Sequence, residues 1–174
     1  MTIKDIKIVP EYFATYTNKV PADLPLLDAL ETYGIEYLTA ERDKYEAVGD
    51  QVYAPGKWTI KQALGHVIDT ERIFAYRALR FARGDQSALA GFEQDGYAAN
   101  AQVDHRSLDS ILDEYAAVRH SSICLYESLN DEELQRHGPA SGKEVSVLAL
   151  GFMTCGHIIH HQDIIEERYY PLIG

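Results

Sequence analysis

The sequence is poor in basic residues, and it has no long apolar run. Its 16 Lys and Arg residues stand against 27 Asp and Glu residues, which gives a formal net charge of −11. Because affinity for nucleic acid comes mainly from Lys and Arg side chains that displace counterions from phosphates, this charge disfavours a nucleic-acid partner. No uncharged apolar run approaches the roughly 18 residues of a membrane span, and the first residues lack the basic and apolar regions of a signal peptide. We therefore expect a cytoplasmic protein without a membrane partner.

Only two cysteines are present, Cys124 and Cys155, and they show no CxxC spacing. Both fall in predicted helices, where we expect reduced thiols that act as small apolar side chains. Cys155 precedes His157 by two residues and should point to the opposite side of its helix, so we do not count it as a metal ligand. A chain of 174 residues can bury a core without disulfides. We expect one domain over residues 1–174, with a less regular segment at residues 1–20.

Four stretches of the chain carry apolar residues at intervals of three and four, as helices with one buried face do. Thr59 followed by Gln62 matches a capping box, and Ser107 is a suitable N-cap for the next helix. Residues 84–104 indicate a longer crossover, and residues 137–142 are predicted to form a turn. No run of alternating apolar and polar residues is long enough for the strands of a sheet core. The predicted helices cover residues 22–47, 60–82, 107–129 and 146–170. The expected fold is an all-α, up-down-type four-helix bundle with one longer crossover.

The stretch from Gly156 to Arg168 carries the most informative polar residues of the chain. If this stretch is helical, His157 and His161 lie one turn apart on one face, and His160 lies on the neighbouring edge of that face. Two imidazoles in this arrangement can bind one metal ion, but catalytic zinc-type sites usually take three protein ligands. His66 on the second predicted helix is a candidate third ligand. A single helical histidine is more often an ordinary hydrogen-bonded residue.

Several segments of this sequence resemble the DinB/YfiT-like family. The resemblance spans roughly residues 22–170 and depends on the joint occurrence of both histidine-containing segments. The segments that carry it are Trp58–Arg72, Phe74–Asp85, Gly91–Asp95, Gly156–His161 and Glu167–Tyr169.

The resemblance implies a four-helix bundle that binds a divalent metal through three histidines. One of these lies on the second helix, and the other two form an HxxxH pair on the last helix. Carried onto this chain, the ligands are His66, His157 and His161, and His160 is either a second-shell partner or an alternative ligand. A homodimer is also implied by the resemblance alone. The metal is not specified, since a three-histidine site can accept Zn, Ni, Fe or Mn.

Three neutral imidazoles leave open coordination positions, where a divalent ion can lower the pKa of a bound water or thiol. Members of the family with known activity include thiol transferases, so by analogy we expect a metal-dependent transferase. It would activate a low-molecular-weight thiol, such as bacillithiol or mycothiol, for attack on an electrophilic small molecule. Two alternatives remain open: a metal-dependent hydrolase, and a non-catalytic metal- or ligand-binding bundle that serves interaction or stress response.

Further polar residues are candidates for catalysis or binding. Asp69, Glu71, Gln94 and Asp95 could orient ligands or handle protons, although solvent exposure or helix capping is the commoner role for such residues. Arg72, Arg77, Arg80 and Arg83 could bind a small anion, but arginines on a helix are more typical of a solvated face.

Overall fold

The computed structural model describes all residues from 1 to 174, and most of them lie in helices. Short 3₁₀ turns occupy Ile3–Asp5, Val103–His105 and Tyr170–Leu172. In chain order, the longer elements are α1 (Glu11–Thr17), α2 (Leu26–Thr32), α3 (Ile35–Thr39), α4 (Arg42–Val48), α5 (Ile60–Ala82), α6 (Gln94–Ala101), α7 (Leu108–Glu127), α8 (Asp131–Gln135), β1 (His137–Ala140), β2 (Lys143–Ser146) and α9 (Val147–Arg168). The long helices α5, α7 and α9 and the segmented stretch α2–α4 form the bundle, so the predicted all-α four-helix fold is confirmed.

The three long helices begin where their capping residues predict. The Thr59 hydroxyl accepts a hydrogen bond from the Gln62 backbone at 3.2 Å, and Gln62 Oε1 accepts one from the Thr59 backbone at 2.9 Å. Ser107 and Ser146 likewise cap α7 and α9 by accepting from backbone N–H groups three residues on. Each cap satisfies a backbone donor that the first helical turn leaves without a partner. Helix α7 ends at Glu127, two residues before the predicted end.

The prediction of one continuous helix over residues 22–47 is wrong, because this stretch forms three short helices, α2, α3 and α4. Helix α2 starts only after Pro25, and Gly34 then adopts an extended backbone between α2 and α3. An added Cβ at Gly34 would lie 2.8 Å from the carbonyl oxygen of Glu31, so a glycine is needed at this break. Helix α2 packs into one hydrophobic cluster through Leu26 and Leu30, whereas α3 and α4 pack into a second cluster through Leu38 and Tyr45.

Residues 137–142 form more than the predicted turn, because His137–Ala140 pair with Lys143–Ser146 as an antiparallel hairpin. Ser141 and Gly142 make its turn with φ values of 53° and 74°, as in a type I′ hairpin. The crossover after α5 attaches to this hairpin, since Leu89 donates to Pro139 and accepts from Ser141 through backbone groups. The crossover also contains α6, which begins after the cap residue Glu93. The hairpin and the crossover thus form one end of the bundle.

Helix α9 is the central element of the fold. It packs against α1, α2 and α5, and every residue from Val147 to Ile159 is buried. This agrees with a sequence that is apolar on most of its circumference. No helix in the structure combines enough length with enough apolar residues to span a membrane.

Helices α5 and α7 are joined by a buried ion pair. Arg119 Nε and Nη2 donate to the two carboxylate oxygens of Glu71, both at 2.9 Å, and the two side chains are 3% and 2% exposed. Arg119 Nη1 donates to the backbone carbonyls of Leu30 and Tyr33 at the end of α2. The pair therefore fixes three parts of the bundle relative to one another.

Candidate metal centre

Three histidine side chains converge between α5 and α9. The Nε2 atom of His157 lies 3.1 Å from Nε2 of His66 and 3.1 Å from Nε2 of His161. These are the three residues that the sequence predicts as ligands, and each offers one nitrogen to a common point. His66 and His157 are 4% and 5% exposed, and His161 is partly exposed.

Helix α1 covers one side of this cluster. The ring of Tyr16 contacts the rings of His157 and His160 edge-on, with centroid distances of 5.4 Å and 5.3 Å. Its backbone carbonyl lies so close to Gly156 that any added Cβ there would overlap it. The glycine before His157 is therefore what lets α1 pack directly over the histidines.

Trp58 also covers part of the cluster. Its ring centroid lies 4.9 Å from that of His66, and it stacks on His161 with a centroid distance of 6.4 Å. The Tyr169 hydroxyl donates a hydrogen bond to the Trp58 backbone carbonyl, which fixes the residue that precedes the α5 cap. An aromatic wall of this kind limits the orientations that the imidazoles can adopt.

The three histidines are neutral at pH 7. Burial, followed by repulsion from neighbouring imidazoles, lowers the pKa of His66 from 6.5 to about 4 and that of His161 to about 3. The same causes hold the pKa of His157 well below 6.5. Neutral imidazoles keep a nitrogen lone pair, which is the form that binds a metal ion.

The cluster fits a divalent metal ion. Metal–nitrogen distances of about 2.0–2.1 Å in a tetrahedral site separate the ligand nitrogens by about 3.3 Å. The distances from His157 to His66 and to His161, both 3.1 Å, are close to this value, and all three nitrogens lie within 4.8 Å of one another. No carboxylate belongs to the cluster, so a divalent ion would carry its full charge to the remaining coordination positions. One departure from common metal sites is that Nδ1 of His66 has no hydrogen-bond partner in the protein.

Two cavities flank the histidines. The larger cavity, about 570 Å³, is lined by His160, His161 and Trp58, and the smaller cavity, about 360 Å³, is lined by His66 and His157. Both cavities share Tyr12, Tyr16 and Gln94 as lining residues. The histidine cluster is thus bordered by two neighbouring cavities.

The other candidates from the sequence lie at different distances from this centre. His160 borders the larger cavity but is not one of the three converging ligands. Asp95 lines the larger cavity, and Gln94 lines both. Asp69 lines neither cavity and pairs with Arg72 at 3.6 Å.

Cys155 is fully buried in the hydrophobic core, as expected for an apolar side chain, and burial raises the pKa of its thiol to about 12. Cys124 lies exposed on α7. Neither thiol lines a cavity next to the histidines.

Some residues around the centre are not predicted by sequence reasoning. Tyr12 and Tyr16 belong to α1, a seven-residue helix in a segment without a clear apolar period. The only local feature that sets this segment apart is its aromatic residues, which include Phe13. Ser141 also lines the smaller cavity, next to Arg77, which is one of the arginines considered above for anion binding. Ser141 lies in a turn 64 residues from Arg77, and no local pattern indicates that the two meet.

Comparison with known proteins agrees with this architecture. A family model described as the DinB superfamily matches residues 26–165. No curated protein matches the chain. Among solved structures, YfiT from Bacillus subtilis has a similar fold, with a TM-score of 0.59 and 13% identity over 92% of this chain and 90% of that chain. YfiT is described as a probable metal-dependent hydrolase with an unusual four-helix bundle topology.

Proposed function

The chain belongs to the DinB superfamily, and from the histidine cluster at its centre we propose that it is a metal-dependent enzyme. His66, His157 and His161 bind one divalent ion through their Nε2 atoms. The observation that supports this assignment is the convergence of three neutral imidazole nitrogens, of which that of His157 lies 3.1 Å from each of the other two. Zn, Ni, Fe and Mn all suit such a donor set.

The reaction that we propose is transfer of a low-molecular-weight thiol, of the bacillithiol or mycothiol kind, to an electrophilic small molecule. Its support is the pair of cavities at the cluster, which can hold two small molecules next to the histidines. A bound divalent ion would lower the pKa of a coordinated thiol, so that the nucleophilic thiolate is present near neutral pH. Since neither cysteine of the chain lines a cavity, the sulfur nucleophile has to come from a substrate.

Residues of the chain have distinct tasks in this proposal. Burial keeps the three histidines neutral, so that none of them competes for the proton released by the thiol. Asp95 lines the larger cavity and accepts that proton, while Gln94 contacts the molecules in both cavities. Trp58 and Tyr16 exclude water from the histidines. The sulfur–carbon bond then forms as the leaving group departs from the electrophile.

Metal-assisted hydrolysis is the second candidate function. It is favoured by the similarity in fold to YfiT, described as a probable metal-dependent hydrolase, and by Asp95 as a potential base for water. In a hydrolase, one cavity would hold the substrate and water would replace the thiol as nucleophile. The third reading, a binding bundle without turnover, requires metal binding alone.

One experiment separates these functions. Metal content and turnover are measured for the wild-type protein, for His66→Ala, His157→Ala and His161→Ala, and for the exposed control His120→Ala. Transferase activity predicts loss of monochlorobimane together with bacillithiol or mycothiol, dependent on metal and on the three histidines. Hydrolysis predicts turnover of an ester or amide without thiol, and a binding bundle predicts metal without either reaction. Undiminished metal binding in all three cluster variants would contradict the ligand assignment.

The organisation as a single domain and the homodimer remain predictions. Sedimentation equilibrium of the purified protein determines the number of subunits, and limited proteolysis tests whether any stable fragment separates from the rest. A monomer would leave the histidine cluster intact, because all three residues come from one chain.

A further inference from the structure

The smaller cavity contains a buried positive charge. Arg77 on α5 is 4% exposed, and it is the only arginine of the chain that makes no ion pair with an acidic side chain. The other buried arginine, Arg119, is fully compensated by Glu71. Burial lowers the pKa of the Arg77 guanidinium, but an arginine remains charged at neutral pH. A buried cation without a counter-charge is costly and calls for an explanation.

The hydrogen bonds of Arg77 leave donors free. Its Nη2 donates to the Ala90 carbonyl and to Ser141 Oγ, both at 2.9 Å, while Nε and Nη1 have no partner in the protein. Ser141 accepts this bond and donates its own hydroxyl hydrogen to no protein group. The left-handed backbone of the hairpin turn, with φ of 53° at Ser141, brings this hydroxyl to the cavity. A cation and a free hydroxyl donor therefore lie together.

Arg77 lies on the same face of α5 as His66. His66, Thr70, Phe74 and Arg77 are spaced by four, four and three residues, and all four line the smaller cavity. The helical rise separates the first and last of them by about 16 Å along the axis. Thr70 Oγ1 is buried without a hydrogen-bond partner in the protein. One face of α5 thus lines the cavity from His66 to Arg77, with the Thr70 hydroxyl and the Phe74 ring between them.

The remaining lining of this cavity is mostly aromatic. Its aromatic side chains are Tyr12, Phe13, Tyr16, Phe74 and Phe92. Glu93 also lines the cavity, but its carboxylate accepts from the backbone N–H groups of Asp95 and Gly96, where it caps α6. The cavity therefore combines apolar walls, one free cation and a volume of about 360 Å³, which is at the small end of ligand sites.

We propose that the smaller cavity binds a small organic carboxylate whose anionic group contacts Arg77 and Ser141. The apolar or aromatic body of this molecule lies between the aromatic walls and extends along α5 towards His66. Carboxylates are preferred partners of arginine, because the anion neutralises the charge and accepts strong hydrogen bonds. The assignment of this molecule as the electrophilic substrate rests on the proposed function, whereas its binding at Arg77 does not.

A purely structural role for Arg77 makes different predictions. In that role it would only join the crossover at Ala90 to the hairpin at Ser141, and its replacement would destabilise the fold without affecting any ligand. If Arg77 is a binding residue, its charge is unfavourable in the ligand-free protein. Arg77→Met should then unfold at the same denaturant concentration as the wild type or a higher one.

Isothermal titration calorimetry tests the proposal with phenylacetate and hydrocinnamate as probes and with their neutral amides as ligand controls. The protein variants are Arg77→Met, Ser141→Ala and the matched control Arg72→Met, which removes an exposed arginine of the same helix. We expect the wild type to bind a carboxylate at least about 10-fold more tightly than its amide. Arg77→Met should remove that preference, Ser141→Ala should reduce it, and Arg72→Met should retain it.

The titrations are made with metal-free and with metal-loaded protein, so that their outcome is independent of turnover. Preference for the carboxylate in metal-free protein supports the binding site even if no thiol transfer is found. Equal affinity of the wild type and Arg77→Met for the carboxylates would overturn the proposal. The proposal would also be overturned if the wild type bound neither probe at about 10 mM. It would likewise be overturned if Arg77→Met were less stable than the wild type and kept the preference for the carboxylate.

Discussion

Gly156 and Tyr16 are in direct contact through their backbones, because the α9 backbone at Gly156 meets the Tyr16 carbonyl without room for a Cβ atom. Their closeness determines how tightly α1 covers His157, whose ring contacts that of Tyr16. The covering helix has only seven residues and depends on this packing for its stability. A single glycine thus controls access to the candidate metal centre.

We predict that Gly156→Ala displaces α1 and lowers the free energy of unfolding by about 1–3 kcal/mol, because the added methyl group overlaps backbone atoms. Hydrogen exchange of residues 11–17 should accelerate, and denaturant titration should give the loss of stability. Gly96→Ala in α6 is the matched control, since its Cβ would meet only the end of the Glu93 side chain at 3.3 Å. Unchanged exchange in Gly156→Ala would contradict the proposed contact.

The metal-free protein should lose stability on acidification from pH 6.5 to about 4. In this range His66, with a pKa of about 4, stays neutral in the folded state, whereas the unfolded state takes up its proton near 6.5. The unfolded state therefore binds more protons, and stability rises with pH. Each such histidine contributes up to about 1.4 kcal/mol per pH unit to the slope of the free energy of unfolding against pH. His66→Gln should remove the contribution of His66 to that slope. Urea titrations at several pH values measure it, and an unchanged slope would contradict the lowered pKa.

Trp58 should report metal binding directly, since it is the only tryptophan and its ring lies against those of His66 and His161. We expect added Ni²⁺ to quench its fluorescence and EDTA to restore it. His161→Ala should weaken the apparent affinity more than about 100-fold, because even outer-shell partners of metal ligands contribute 10–100-fold. The control His120→Ala should titrate like the wild type. Equal apparent affinities for Ni²⁺ in His161→Ala and His120→Ala would show that the metal binds elsewhere.

The Glu71–Arg119 pair should be essential for stability and not for chemistry. Glu71→Gln leaves a buried guanidinium without its counter-charge, which costs about 3–5 kcal/mol. The double variant Glu71→Met/Arg119→Met should recover a large part of that loss, because two apolar side chains leave no uncompensated charge. Chemical denaturation measures both changes, with metal content as a check that the histidine cluster is retained.

Helix caps and apolar periods were sufficient to predict the long helices. Thr59, Ser107 and Ser146 act on the backbone within three residues, so their effect can be recognised locally. The break at Gly34 is not predicted from the sequence, because glycine also occurs inside helices. Whether the helix continues or ends at this glycine depends on the packing of α2 and α3.

The HxxxH pair on an apolar helix and His66 on a second predicted helix indicate the histidine cluster, and the family resemblance joins the two segments into one predicted site. The surroundings of the cluster were not predicted. Tyr16 is 141 positions from His157, and Ser141 is 64 positions from Arg77, so their contacts depend on the tertiary fold alone. Local sequence patterns carry no information about such pairs.

Helix α1 has a further consequence for how the protein is made. It is synthesised before its packing partner α9, which follows about 130 residues later as the last of the long helices. A helix of seven residues is not stable without that partner, so α1 stays unstructured on the growing chain until α9 has folded against α5. His66 and His157 also meet only at that stage, since 91 positions separate them. The three histidines therefore come together only after α9 has been synthesised, and α1 can pack over them only from that stage on.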